Sequence, residues 1–206
     1  MLLKLVNQAE KPGLILIEDS LKVSGTRLFQ AFLANQSKDT TVHLFLFENN
    51  PKDFLTDLEC DNVIIYDFYT DPLGWNCGKI MLPTFSFSKH LHDLTDQNVV
   101  AIDSVGMYLI NHSASLLCRD LHKLQMNQTI KQCVVLVHCD EILPEVKTSL
   151  QYLSNVFLSL TNEEMEVDKS KSKTALVRKW RENILICKTT FKKFNGKLIF
   201  SDEEIK

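Results

Sequence analysis

Runs of apolar residues alternate along this chain with stretches whose apolar positions recur every three or four residues. The runs GLILIE (13–18), VHLFLF (42–47), VIIY (63–66), VVAI (99–102), CVVLVH (133–138) and VFLSL (156–160) are almost continuous Val, Ile, Leu and Phe. Parallel strands covered by helices on both faces need that composition. Between them Leu28, Phe29, Phe32 and Leu33 fall at helical spacing, and Met107, Ile110, Ala114, Leu117, Leu121 and Leu124 continue such a stripe over five turns. Both stripes predict helices whose apolar side joins the core. Pro144 is placed to open another short helix to about Leu153, because a first turn has no use for its missing N–H. The alternation predicts an α/β fold with a mostly parallel sheet and crossover helices.

After the sixth run the pattern changes. TNEEMEVDKSKSK (161–173) is polar and highly charged and predicts a loop. Beyond it, ALVRKW, ILICKTTF and KLIFS read as an antiparallel meander, with Asn195-Gly196 closing a hairpin before the last strand. No repeat and no Pro/Gly linker divides the chain, so 1–206 is expected to be a single domain.

Composition narrows the class. The chain is 45% hydrophobic and 24% charged, enough to bury a sizeable core. No apolar run reaches the ~18 residues of a membrane span, and the N-terminal MLLKLVNQAEKPG has no small-residue cleavage site. A cytoplasmic or nuclear protein with no membrane partner is expected. Six scattered cysteines without a CxxC are expected to be reduced thiols. Cys133 and Cys139, on one apparent strand, would lie roughly 20 Å apart and could not share a metal. The net charge of −3 hides an asymmetry: residues 1–162 hold 12 Lys/Arg against 18 Asp/Glu, and 163–206 hold 11 against 8. Within 169–197 there are ten basic residues and one acidic residue, Glu182. That stretch is either a solvated basic surface or one that faces phosphates.

The first strand and helix raise the question of a nucleotide site. GLILIEDSLKVSGTRLFQAFL (13–33) has the frame of a P-loop, G-x-x-x-x-G-K-[ST], but only Gly25 matches. Ser20 stands at the first glycine, Thr26 at the phosphate-binding lysine and Arg27 at the magnesium-binding hydroxyl. Glu48 and Asp103, at the ends of the second and fourth strands, could take the places of the magnesium and water-orienting groups of such an ATPase. They could equally be helix caps, and Asp103-Ser104 before the Met107 stripe suits a cap well. Without the lysine and the hydroxyl, no cofactor and no catalytic residue are expected. HLHD (90–93) puts His90 and His92 on different sides of any helix, and His112, His122 and His138 show no ligand spacing. There is no GxSxG elbow, and six glycines do not support a dinucleotide fingerprint.

IYDFYTDPLGW (65–75) stands apart. Asp71-Pro72 starts a turn, and Tyr66, Phe68, Tyr69 and Trp75 surround it. The aromatics either pin the loop to the domain or form an exposed binding surface. The motif Asp71-Pro72-Leu73-x-Trp75 resembles one in the family of the fifth Elongator subunit, and so do GLILIEDSLKVSGTRLFQAF and VVAIDSV in the same order. The resemblance covers about residues 13–110. It implies a RecA-like three-layer α/β/α fold without an intact P-loop. It further implies a non-catalytic subunit that joins the fourth and sixth Elongator subunits in a hetero-hexameric ring, binds tRNA and serves the catalytic subunits in C5 modification of wobble uridine. For tRNA the candidates are Lys169, Lys171, Lys173, Arg178, Lys179 and Arg181. Some members of that family continue into an acidic tail, whereas this sequence stops at SDEEIK. Two other readings are a divergent RecA-like ATPase using Glu48 and Asp103, and a different RecA-like accessory protein, either the sixth subunit or a DNA-binding recombinase paralogue. The Asp-Pro-Leu-Gly-Trp stretch argues against the latter.

Overall fold

The structure, a computed structural model, describes residues 13–56, 58, 60, 62–73, 75, 85–91, 94, 97–161, 173–179, 186–194 and 197–204, with side chains through residue 160. Six strands, β1 (Leu14–Asp19), β2 (Thr41–Leu46), β3 (Val63–Asp67), β4 (Asn98–Ile102), β5 (Ile130–His138) and β6 (Val156–Thr161), pair in parallel in the order β3-β2-β4-β5-β1-β6. Two-sided burial accounts for the runs in the middle of the sheet, where every residue of β1 and β4 is buried. The run VIIY does not follow it, because β3 is an edge strand with Ile64 exposed and no residue fully buried. Three more strands, β7 (Lys173–Lys179), β8 (Ile186–Phe194) and β9 (Lys197–Glu204), follow in antiparallel register beyond β6.

Helices cover both faces of the sheet. On one side α1 (Thr26–Ala34) and α2 (Pro51–Thr56) bury Leu28, Phe29, Phe32, Leu33 and Phe54 against Ile15, Ile17, Leu44 and Leu136. On the other lie α3 (Phe87–His90), α4 (Gly106–Asn111), α5 (Ala114–Met126) and α6 (Pro144–Leu153), whose Phe87, Tyr108, Leu117, Leu121 and Leu150 pack on Leu16, Phe45, Val100 and Val135. Odd and even strand positions divide between these two clusters, as the period of two requires. The layers are α/β/α around a mostly parallel sheet. No described helix is long and apolar enough to cross a membrane.

The stripe from Met107 to Leu124 is not one five-turn helix. It breaks between α4 and α5 at His112-Ser113, where Ser113 takes an extended conformation (φ −72°, ψ 153°) and its side chain accepts the Leu116 N–H. A serine that offers the backbone a substitute acceptor restarts a helix at small cost. Ile110, read as core, is 75% exposed at the end of the short α4. Phe47 lies just past the end of β2, and β5 begins three residues before its apolar run. Helices α2 and α3 were not predicted because each is too short to show a period. Cys139 follows β5 in a turn instead of lying on it, and the described cysteines, Cys60, Cys118, Cys133 and Cys139, form no disulfide. Of 161–173, read as a loop, Thr161 ends β6 and Lys173 begins β7; the residues between them, and the turn at Asn195-Gly196, lie outside the described residues.

Candidate functional site

The parallel strands end together on one rim, where open α/β sheets place their ligands. The connection from β1 to α1 lies there. Its first four residues close on themselves: the Ser20 N–H donates to the Val23 carbonyl at 3.2 Å, and the Val23 N–H donates to the Ser20 carbonyl at 2.9 Å. Leu21 sits at the tip, its side chain 92% exposed and its N–H given to Asp140 Oδ2 at 2.7 Å. The Gly25 N–H donates to Asp19 Oδ2 at 2.6 Å, and the Thr26 N–H reaches Ser24 Oγ at 3.3 Å. A phosphate cradle is made of backbone N–H groups left free to converge on an anion. In this loop five of them are given to the chain's own oxygens, and two of those acceptors are carboxylates.

Gly25 is required by space, not by torsion. Its φ of −85° suits any residue, but a Cβ there would lie 2.7 Å from Leu136 Cδ1 and 3.1 Å from Asp19 Cβ. The one residue that matches the P-loop pattern thus holds α1 close against β5 and β1. Arg27 is exposed on α1 and donates to Gln30 Oε1 at 3.3 Å.

A cavity of about 250 Å³ opens beside the loop, lined among others by Asp19, Ser20, Thr26, Glu48, His138 and Glu141. His138, the last residue of β5, joins the ends of three strands. Its Nδ1 lies 2.6 Å from Asp19 Oδ1, and its Nε2 lies 2.9 Å from Glu48 Oε2. Burial alone would lower the histidine's pKa, but the two carboxylates outweigh it and push it up to about 10. The ring is therefore an imidazolium at neutral pH, hydrogen-bonded through Nδ1 to Asp19 and paired through Nε2 with the Glu48 carboxylate by charge, without an aligned hydrogen bond. Glu48 is in turn held below its usual range, chiefly by its contact with His138. Glu141 is pushed up, first by burial and then by the charge of Glu48. Four acidic side chains, Asp19, Glu48, Asp140 and Glu141, thus face the cavity against one histidine.

Asp103 does not reach the cavity as a magnesium ligand would, and it does not cap α4. Fully buried at the end of β4, it accepts the N–H groups of Phe47 (2.7 Å), Glu48 (3.2 Å) and Asn49 (2.9 Å), and Asn49 Nδ2 at 2.9 Å. Burial raises its pKa and these four donors oppose the rise. Its work is to fix the loop that carries Glu48. Its neighbour Ser104 accepts the Gly106 N–H instead. Glu18, one residue before Asp19, points to the opposite helix layer, pairing with Lys147 at 3.1 Å and accepting from Gln151 at 2.7 Å.

Mg-ATP does not fit these residues. The lysine and hydroxyl positions are Thr26 and Arg27, five of the loop's N–H donors are taken, and the open charge is negative, so a polyphosphate would meet repulsion in a partly desolvated site. Of the sequence candidates, the structure brings Ser20, Thr26 and Glu48 together along the cavity, with Gly25 packed beneath them against Leu136 and Asp19. Sequence reasoning missed His138, Asp19 and Asp140, although the string HCDE at the end of an apolar run was the available signal.

The loop after β3 divides into a root pinned by its aromatics and an exposed tip. Phe68 is buried and stacks on Phe47 at 4.9 Å between centroids, and Tyr66 stacks on Phe45 at 4.4 Å. Tyr69, Leu73 and Trp75 are exposed, while Asp71 accepts the Trp75 N–H at 2.9 Å. Of the basic candidates, Lys173, Arg178 and Lys179 lie on β7, with Arg178 in register between Phe157 and Ile186. Lys169, Lys171 and Arg181 lie outside the described residues.

Comparison with known proteins gives two kinds of likeness. Residues 1–192 match the family model described as Elongator subunit Iki1. The chain is 27% identical over 177 residues to the Elongator complex protein 5 of Danio rerio, covering 80% of this chain and 60% of that relative's length. Among solved structures it resembles the flagellar accessory protein FlaH of Methanocaldococcus jannaschii (TM-score 0.67, 14% identity, covering 98% of this chain and 95% of the other). It also resembles a KaiC-like protein of Pyrococcus horikoshii (0.63, 12%, covering 92% and 89%). A solved ATPase domain gives a similar match (0.64, 15%, covering 91% and 84%). At such identities these structures establish the fold, which is RecA-like.

Proposed function

Because the chain belongs to the Elongator subunit Iki1 family, we propose that it is a non-catalytic accessory subunit of the Elongator complex. In this reading it assembles with the fourth and sixth subunits into a RecA-like hetero-hexameric ring in the cytoplasm and nucleus. The ring binds tRNA and supports the catalytic subunits in C5 modification of wobble uridine. One observation carries the non-catalytic part: five N–H groups of the β1–α1 loop are given to the chain's own oxygens, and the cavity beside them is acidic. A site of that kind offers nothing to a developing phosphoryl charge, and such stabilisation is most of what an ATPase contributes. No cofactor is needed.

The basic residues Lys169, Lys171, Lys173, Arg178, Lys179 and Arg181 are the proposed tRNA contacts. Such contacts release counterions and do not select sequence. Co-expression with the fourth and sixth subunits, followed by size exclusion and tRNA titration at several salt concentrations, tests the whole reading. A stable hetero-oligomer should form and bind tRNA with a steep salt dependence. Replacing Lys169, Lys171 and Lys173 by alanine should flatten the log–log slope by roughly 0.7–0.9 for each phosphate no longer neutralised. Failure to form a hetero-oligomer would overturn the assembly.

A further inference from the structure

Two carboxylates fix the chain just beyond β3. Asp67 Oδ1 accepts the N–H groups of Tyr69 (3.0 Å) and Thr70 (2.9 Å), and Asp71 Oδ1 accepts that of Trp75 (2.9 Å). Beneath them Phe68 is wedged against Phe47 and edge-on to Phe85, with centroids 4.7 Å apart in the latter pair. The tip so held turns outward: Trp75 is 84% exposed, with Tyr69 and Leu73 exposed beside it. Three large apolar side chains on a braced turn lie outside both core clusters. They form a preorganised contact, for which the ordering cost of binding has already been met by the fold.

Charge decides what the tip meets. Residues 53–78 contain six acidic side chains and no lysine or arginine. The tip stands at the β3 end of the sheet, whereas β7, β8 and the start of β9, which hold the described part of the basic stretch 169–197, lie at the opposite end. A polyanion is repelled by the first and drawn to the second. We propose that Tyr69, Leu73 and Trp75 are a docking knob for another protein, entering an apolar pocket rimmed by lysine or arginine on a neighbouring subunit. This rests on the Elongator reading above. Tryptophan and tyrosine are the side chains that most often dominate such contacts, and the acidic surround would select the partner and speed its approach.

The test uses the full chain with its two tryptophans reduced to one. In a Trp180→Phe background, 5-fluorotryptophan reports Trp75 alone by fluorine NMR. Adding the fourth and sixth subunits should shift or broaden that resonance. Separately, in the unlabelled chain, Trp75→Ala should weaken assembly roughly 30-fold or more, with an unchanged melting temperature. Raising the salt should weaken the wild-type assembly. If those subunits bind wild type and Trp75→Ala equally and the resonance does not move, the knob is overturned and the Elongator assembly stands. If they bind neither, both fall. A shift produced by tRNA alone would overturn the choice of a protein partner.

Discussion

The β1–α1 rim and the loop after β3 are both places where a RecA-like sheet could meet a ligand, and they spend their polar groups in opposite ways. At the rim Asp19, Asp140 and His138 turn inward, satisfying loop N–H groups and tying the ends of β1, β2 and β5 together. At the β3 loop Asp67 and Asp71 also bind backbone, but the turn they make projects apolar side chains into solvent. The same chemistry, carboxylate to N–H, closes one site and presents the other. A frame inherited from a nucleotide fold need not mark where a protein does its work. The residues left unsatisfied or exposed are the better guide.

If the rim is a structural clamp, breaking it should cost stability most. His138→Ala leaves Asp19 and Glu48 without the cation between them and should destabilise the chain by about 3 kcal/mol in chemical denaturation. A change below about 0.5 kcal/mol would mean that the clamp is ornamental.

The clamp also predicts a pH profile. The His138 pKa is raised from 6.5 to about 10, so its stabilising contribution is complete below 6.5 and disappears as the pH rises through about 10. Glu48, with its pKa lowered, stabilises above its ordinary 4.5, and that contribution disappears as the pH falls below it. Wild type should lose stability between about pH 7 and pH 10, and His138→Gln should show a much flatter alkaline limb in the same denaturant series.

Gly25→Ala sharpens the contrast at a single position. The new methyl group meets Leu136 and Asp19, which should cost about 1–3 kcal/mol by overpacking, with no torsional strain to add. Trp75→Ala, in the other region, should change the stability of the isolated chain by less than about 0.5 kcal/mol. Thermal melts of the two variants side by side separate a residue kept for packing from one kept for binding.

The inner parallel strands were legible because two-sided burial leaves an unbroken apolar run, as in LILI or VVLV; VIIY looks the same but forms the edge strand β3, where Ile64 is exposed. The helix break at Ser113 was not legible, because Met107, Ile110 and Ala114 keep their spacing across it while one capping serine decides. The P-loop frame was visible as a register, since Ser20 to Arg27 are contiguous. The clamp was hidden, because Asp19, Glu48 and His138 are brought together only by the order β2-β4-β5-β1, which no local pattern encodes. The aromatic loop was half legible: its residue types left a pinned loop and an exposed surface as alternatives, and only the structure divides it into a root and a tip. Which ring did which followed from Phe68 filling the space beside Phe47 and Phe85.

The central claim is that the β1–α1 rim has given its anion-binding groups to the chain itself. Isothermal titration of the isolated chain with Mg-ATP tests this most directly. The account predicts no saturable heat at micromolar nucleotide, with or without magnesium. Saturable, magnesium-dependent binding in that range, weakened by Gly25→Ala, would contradict it.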